Sequence, residues 1–300
     1  MKKFIALFVF ICAGAHAAMG QQDPLYALYL NNPLTINPAY AGSNDRFHAG
    51  VQYRSQWAGM EGNPVTLHFN THLSLFDNRV GAGLMAVQDR IADVTLTDVS
   101  SVFAYKLKVS EGTLSFGMNF GFTRYATHTN LLQVRDSNDP YFVPFNSSQF
   151  TTGAGFLLKK ENYVVGLSLP RLIKGTVTQG PTSVQVYDQH LYLMGQYRLL
   201  LTERLRLKPA VLMRYTPETP VAVDINAMIN LDGLYSVGLF TRNLSTVGLL
   251  AQLILAEYRL GYALELPSGP ASQQRYTTHE FSLVVSASLL KFHSRSPEEF

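Results

Sequence analysis

From Leu114 to Tyr125 the chain alternates: Leu114, Phe116, Met118, Phe120 and Phe122 fall on one face, and Ser115, Gly117, Asn119, Gly121 and Thr123 on the other. Period two over this length predicts a β-strand, because successive strand side chains point to opposite faces. Val65, Leu67, Phe69 and Leu73 likewise oppose Thr66, His68, Asn70 and His72. Val221, Val223, Ile225, Ala227, Ile229 and Leu231 oppose Ala222, Asp224, Asn226, Met228, Asn230 and Asp232. Polar turns such as Glu111-Gly112, Glu161-Asn162 and Asp232-Gly233 separate the runs. Strand starts are expected at 47, 65, 80, 97, 112, 150, 162, 189, 205, 221, 233, 246, 257 and 278, which makes about fourteen strands. Three connections, 127–149, 173–189 and 267–278, are longer than the rest.

The polar face is chiefly Ser, Thr, Asn, Gly, Gln and His, too thinly charged for the solvated side of a soluble sandwich. Only 15% of residues are charged, against roughly 25% in a soluble domain. Strands of about ten residues match the tilted span of a hydrocarbon core, and a closed barrel leaves no backbone edge unsatisfied. The expected fold is therefore all-β, a transmembrane antiparallel β-barrel of about fourteen strands. Long loops at one end and tight turns at the other fit an outer-membrane barrel.

The ends of the chain add an address. Lys2 and Lys3 precede an apolar run from Phe4 to Ala13 and an Ala15-His16-Ala17 site, so residues 1–20 read as a signal peptide cleaved after about residue 17–20. Removing those two lysines takes Lys+Arg from 24 to 22 against 21 acids, a net charge of +1 that offers no case for nucleic acid. Cys12, the single cysteine, goes with the signal, so no disulfide or thiolate chemistry is expected. The barrel is expected over 47–292, closing on the alternating strand that ends at Phe292, with 293–300 as a tail.

Between signal and barrel lies a stretch of another kind. Gln22-Asp23-Pro24-Leu25-Tyr26 runs on to Asn32-Pro33-Leu34-Thr35-Ile36-Asn37-Pro38-Ala39-Tyr40-Ala41-Gly42. Its prolines forbid a continuous helix and spoil a central strand, yet it is too apolar for a solvated tail. Residues 21–46 are therefore expected to form a plug in the lumen or a docking segment on the periplasmic side.

Candidate chemistry is sparse. His68 and His72 stand about 13 Å apart along one strand at a rise of roughly 3.3 Å per residue, too far for a shared zinc. His128, His190, His279 and His293 have no ligand-like spacing. Ser74 near His72 and Ser282 near His279 are the local candidates for a hydrolytic pair, but strand neighbours alternate faces. No enzyme, metal, cofactor or small-molecule substrate is expected. Arg198, Arg214, Asp224, Arg259 and Glu280 are expected on the lumen face, pairing with one another and with the plug or lining a channel. On the long loops Tyr141, Phe142, Phe145 and Tyr187 are candidate exposed anchors for a partner.

The wording of the early stretch resembles the N-terminal signature of the PorP/SprF family of the type IX secretion system. The residues that carry it are Asp23, Pro24, Asn32, Pro33, Asn37, Pro38, Ala39, Tyr40 and Gly42. The resemblance continues through Tyr53, Arg54, Gln56 and Trp57, where the family has a similar Tyr-Arg-x-Gln-Trp block, and through Gly166-Leu167-Ser168-Leu169-Pro170 to His279-Glu280. It implies a Gram-negative outer-membrane barrel that serves type IX secretion or gliding. Such a barrel is either a dedicated partner that helps export or surface-anchor secreted proteins with a type B C-terminal domain, or a core component in contact with machinery subunits. A porin or transporter of the fatty-acid-channel type is the alternative.

Overall fold

The structure, a computed structural model, describes residues 24–44, 46–127, 146–179, 182–217, 219–268 and 276–288. The expected signal peptide, Asp23, Tyr141, Phe142, Phe145, Phe292 and the tail 293–300 lie outside the described residues. The strands are β1 Phe47–Ala58, β2 Val65–Leu75, β3 Val80–Ile91, β4 Val94–Val109, β5 Gly112–Thr127 and β6 Asn146–Lys160. There follow β7 Tyr163–Leu169, β8 Gly175–Gln179, β9 Thr182–Tyr187, β10 Leu191–Tyr197, β11 Leu199–Leu200 and β12 Leu205–Tyr215. The chain continues with β13 Ala222–Leu231, β14 Tyr235–Arg242, β15 Thr246–Leu255, β16 Tyr258–Pro267 and β17 Thr277–Ala287.

Each strand pairs antiparallel with its neighbours, β10 pairs across to β12, and β1 pairs with β17, so the sheet closes on itself. Fourteen strands form the barrel. Of the other three, β11 is a two-residue continuation of β10, and β8 and β9 form a separate hairpin. That hairpin is a correction to the loop expected over 173–189. Gly175, Gly180 and Pro181 read as breakers, whereas Gly175 starts β8, which pairs from Gln179 back with β9 from Thr182 on. Strands β4 and β6 also begin earlier than expected, at Val94 and Asn146. Val94 pairs with Thr127 and Asn146 with Ala126, where the alternation imposed by lipid and lumen fades although the ladder continues.

The chain enters β1 and leaves β17 at one end of the barrel. The connections at that end are 76–79, 110–111, 161–162, 198–204, 232–234 and 256–257. The strands joined by the three long connections, β5 and β6, β7 and β10, and β16 and β17, have their connected ends at the other end. This is the polarity of an outer-membrane barrel, with the short turns periplasmic. Asp232 and Gly233 both adopt positive φ (54° and 72°), as a tight hairpin matched to strand twist requires.

The two faces carry opposite chemistry. Val51, Leu67, Phe69, Leu84, Phe103, Phe122, Ile225, Leu239 and Phe281 point outward and are exposed, while Gln52, His68, Asn70, Ser100, Asn119, Asn226 and Ser282 point inward and are buried. An apolar exterior around a polar interior inverts a water-soluble protein and suits a wall standing in lipid. The hydrophobic core sits inside the lumen, and much of it comes from the segment before β1.

Candidate functional site

Residues 24–44 thread the lumen as a chain of tight turns. Asn32-Pro33 and Asn37-Pro38 each begin a single turn of 3-10 helix, Pro33–Thr35 and Pro38–Tyr40. Proline suits the first position of such a turn because its fixed φ fits and its missing N–H would have no partner there. The Asn37 side chain caps the second turn by accepting from the Ala39 N–H at 2.9 Å, and its amide donates to the Phe156 carbonyl of β6 at 2.9 Å. Asn32 does not cap its turn; its amide lies 3.4 Å from His68 Nδ1 on β2. The two Asn-Pro pairs thus fix both the shape of the segment and its seat.

Packing around the segment forms two clusters. Tyr29, Leu34, Ile36, Ala39, Tyr40 and Ala41 pack with Val102, Ala104, Leu157, Val164, Tyr192, Met194 and Leu212 of the wall. Ala27 and Leu28 pack with Met228, Phe240, Leu250 and Ala263 on the opposite side. The wall leaves room through glycine. A Cβ built on Gly117 would stand 2.2 Å from the Ala39 nitrogen, and one on Gly155, its partner across the ladder, 2.2 Å from Asn37 Oδ1. Tyr29 Oη accepts from Asn226 at 2.7 Å. Burial, and after it the nearby Asp224 charge, raise the hydroxyl pKa far above the ordinary tyrosine range, so it stays protonated.

Polar contacts reach the segment from around the wall. Glu280 of β17 accepts the Ala27 and Leu28 backbone N–H groups at 2.9 and 2.8 Å. The amide of Gln252 donates to Asn31 Oδ1 at 3.0 Å, and Ser168 donates to the Ile36 carbonyl at 2.6 Å. At the periplasmic end, the Gly42 N–H donates to His72 Nδ1 at 3.0 Å, and Lys106 Nζ donates to the Gly42 carbonyl, Ser74 and Asn78.

Beneath Ala27 and Leu28 lies a buried ion network. Arg54 of β1 bonds Glu265 at 2.6 Å and Glu280 at 3.0 Å, and Gln52 donates to Glu280 at 2.5 Å. Arg242 bonds Asp224 at 2.8 Å and Glu265 at 3.4 Å. Two guanidinium groups and three carboxylates from β1, β13, β14, β16 and β17 thus bond one another and hold the start of the plug. Losing one partner of such a set leaves an uncompensated buried charge.

The structure brings together most of the residues singled out in the sequence. Pro24, Asn32, Pro33, Asn37, Pro38, Ala39, Tyr40 and Gly42 are in the lumen, where Ala39 is fully buried. In the first-strand motif, Arg54 points inward to the network, whereas Tyr53 faces lipid at 42% exposure. Trp57, at φ 53°, falls within the register shift between Ser55 and Ala58, and Gln56 N–H donates to the Pro64 carbonyl. Asp224, Arg259, Arg214 and Glu280 are buried on the lumen side.

Two expectations are corrected. Arg198 lies just past the end of β10 and donates to the Glu161 carbonyl in a periplasmic turn at 2.8 Å, so it belongs to the rim. Tyr187 is 9% exposed, packed on Leu96 and Tyr125 with the Arg171 guanidinium 4.3 Å over its ring, and is no exposed anchor. Sequence reasoning did not pair Arg54 with Glu265 and Glu280 or Arg242 with Asp224 and Glu265, and it missed the glycine seat and His48, which stacks on His72 with ring centroids 4.7 Å apart. Hairpin register could have found the histidine pair, since β1 and β2 place the two residues opposite each other. Among the described residues no group of three or more His, Cys, Asp or Glu is arranged to hold a metal ion.

Replacing Asn37 with alanine removes the cap and the strut to β6 together. It is expected to lower unfolding stability by about 1–2 kcal/mol, measured by urea titration of the detergent-solubilised barrel.

A closed fourteen-strand wall with an apolar exterior, filled by its own N-proximal segment, defines a plugged outer-membrane β-barrel. The chain belongs to the family described as type IX secretion system membrane protein PorP/SprF, whose model matches residues 18–285. It is therefore an outer-membrane barrel of type IX secretion. Among solved structures it is similar to the outer membrane protein Omp33 of Acinetobacter baumannii, at 8% identity over 81% of this chain and 99% of that one, with a TM-score of 0.48. It is also similar to the toluene transporter TodX of Pseudomonas putida, at 11% identity over 85% and 92%, with a TM-score of 0.47. No curated protein matches the chain.

Proposed function

We propose that this barrel is a dedicated, non-enzymatic partner in type IX secretion, which helps export or surface-anchor a secreted protein carrying a type B C-terminal domain. The observation that carries this reading is the occupied lumen: residues 24–44 touch the wall on opposite sides and are hydrogen-bonded to β2, β4, β6, β7, β13, β15 and β17. Cargo has no need of this lumen. Family membership supplies the secretion context.

Deletion of the gene is expected to strip one protein from the cell surface while leaving the uptake of small solutes unchanged. Surface proteomics beside a solute-permeability assay decides it. A deletion strain with its full set of surface proteins would refute the partner role, and a strain altered only in permeability would favour a channel.

A further inference from the structure

The lipid-facing wall is not convex all round. Across five adjacent strands, β14 to β17 and then β1, outward side chains frame an open groove of about 740 Å³. The ladders set its lining in two rows. Tyr235, Leu253, Leu260, Leu283 and Val51 lie side by side in the lower row. Val237, Ala251, Tyr262, Phe281 and Tyr53 form the upper row. Ala251 stands between Val237 and Tyr262, and its short side chain leaves the row low at that point. Tyr262 makes a rim beside it: its hydroxyl lies 2.9 Å from His279 Nδ1, and its ring packs on Phe281 with centroids 4.9 Å apart.

The rows climb through the membrane. Tyr235 is the first residue of β14 and Leu260 the third of β16, whereas Val51 is the fifth of β1, each counted from its periplasmic end. The groove therefore opens beside the periplasmic turns 232–234 and 256–257 and rises toward the middle of the wall. Four strand spacings of roughly 4.8 Å make it about 19 Å long. Half of a hydrocarbon core is about 15 Å deep, so an inclined groove of this length fits one leaflet. Tyr235 and Tyr258 flank its low end, both more than half exposed, and tyrosines at such positions mark the headgroup level.

We infer that this groove is a binding site for one acyl chain of a periplasmic-leaflet phospholipid. The outward side chains of both rows are aliphatic or aromatic, so the groove takes the chain and leaves the headgroup at the level of the tyrosines. Leaving bulk lipid brings no hydrophobic gain, because lipid tails are as apolar as leucine. Dispersion decides instead. A chain in a hollow touches the wall on several sides, a chain on a convex face touches it on one, and an unfilled hollow forfeits those contacts. The direction of the groove selects the leaflet. A chain from the periplasmic side enters at the open low end, whereas one from the outer leaflet would meet the high end at Val51 and Tyr53. The site is independent of the plug, which lies on the other side of the wall.

The test places the intact protein in vesicles of phosphatidylethanolamine whose acyl chain carries a photoactivatable diazirine, and maps the labelled residues by mass spectrometry. Label on the groove is expected several times above that on the lipid-facing side chains of β3 to β5. A diazirine near the headgroup should mark Tyr235 and Leu253, and one near the chain end Val51 and Tyr53. Ala251→Phe fills the hollow and should bring its label down to the level of the rest of the wall. Ala86→Phe makes the same change on β3, on the face shared with Phe69 and Val99, and should leave the groove label as it was. Both variants alter only the lipid-facing surface and should remain heat-modifiable barrels in gel electrophoresis. Even labelling around the wall, a reversed order of the two probes, or equal loss in both variants would overturn the inference. So would an unlabelled groove in a protein that crosslinks as a dimer, which would give this face to a second copy.

Discussion

Replacing Glu280 with alanine is expected to destabilise the folded barrel by about 3–5 kcal/mol, because three buried neutral donors lose their acceptor at about 1–3 kcal/mol each. Glu280 is fully buried and accepts four donors: the Ala27 and Leu28 N–H groups of the plug, Gln52 Nε2 and Arg54 Nη1. Alanine leaves two backbone donors and an amide with no acceptor in a site from which water is excluded. Arg54 keeps Glu265, so the loss falls mainly on the plug and its hold on β17. Glu280→Gln retains one carbonyl acceptor and should cost less. Equilibrium unfolding in urea of the two variants beside the parent provides the check, and a Glu280→Ala midpoint equal to the parent's would contradict the role given to this carboxylate.

Valine in place of Gly117 is expected to unseat the plug while leaving the wall intact. The three atoms nearest a Cβ at this position, all within 2.4 Å, belong to Pro38 and Ala39, and none belongs to a neighbouring strand. A side chain there can be accommodated only if the second turn of the segment moves, since backbone at that distance cannot yield by rotating a side chain. Gly121 two residues on is different: its nearest atoms are those of Val99 and Ser100 in the wall, so valine there should damage the barrel. Gly117→Val should thus still run as a folded, heat-modifiable barrel in gel electrophoresis, and segment 24–44 should become open to protease. A variant whose segment stays as protected as the parent's would count against this packing.

Much of the fold was legible because lipid outside and polar lumen inside impose a strict period of two. That period marked the barrel strands and, on Leu114 to Tyr125, which face meets which environment. It weakened where strands leave the membrane, so the starts of β4 and β6 and the β8–β9 hairpin escaped. The plug was legible as a segment that could be neither strand nor tail, and one of its Asn-Pro pairs, Asn37-Pro38, turned out to supply both a cap and a strut. Whether it sat in the lumen or below it was not legible, because its partners are remote. Glu280 lies 253 residues from Ala27, and Glu265 lies 211 from Arg54. A glycine's purpose in the wall is likewise invisible until the backbone that approaches it is known. Tyr187 was misjudged for a related reason: a tyrosine in a long connection looks exposed until Leu96, Tyr125 and Arg171 are found around it.

A fourteen-strand barrel emptied of its plug has a lumen between the side-chain-filled eight-strand cores and the water-filled sixteen-strand porins. The central claim is that residues 24–44 keep that lumen closed. The most direct measurement is single-channel conductance of the intact protein in a planar bilayer, beside the Gly117→Val variant. The account predicts a silent parent and a conducting variant. Steady conductance through the parent at the level of the variant would contradict it.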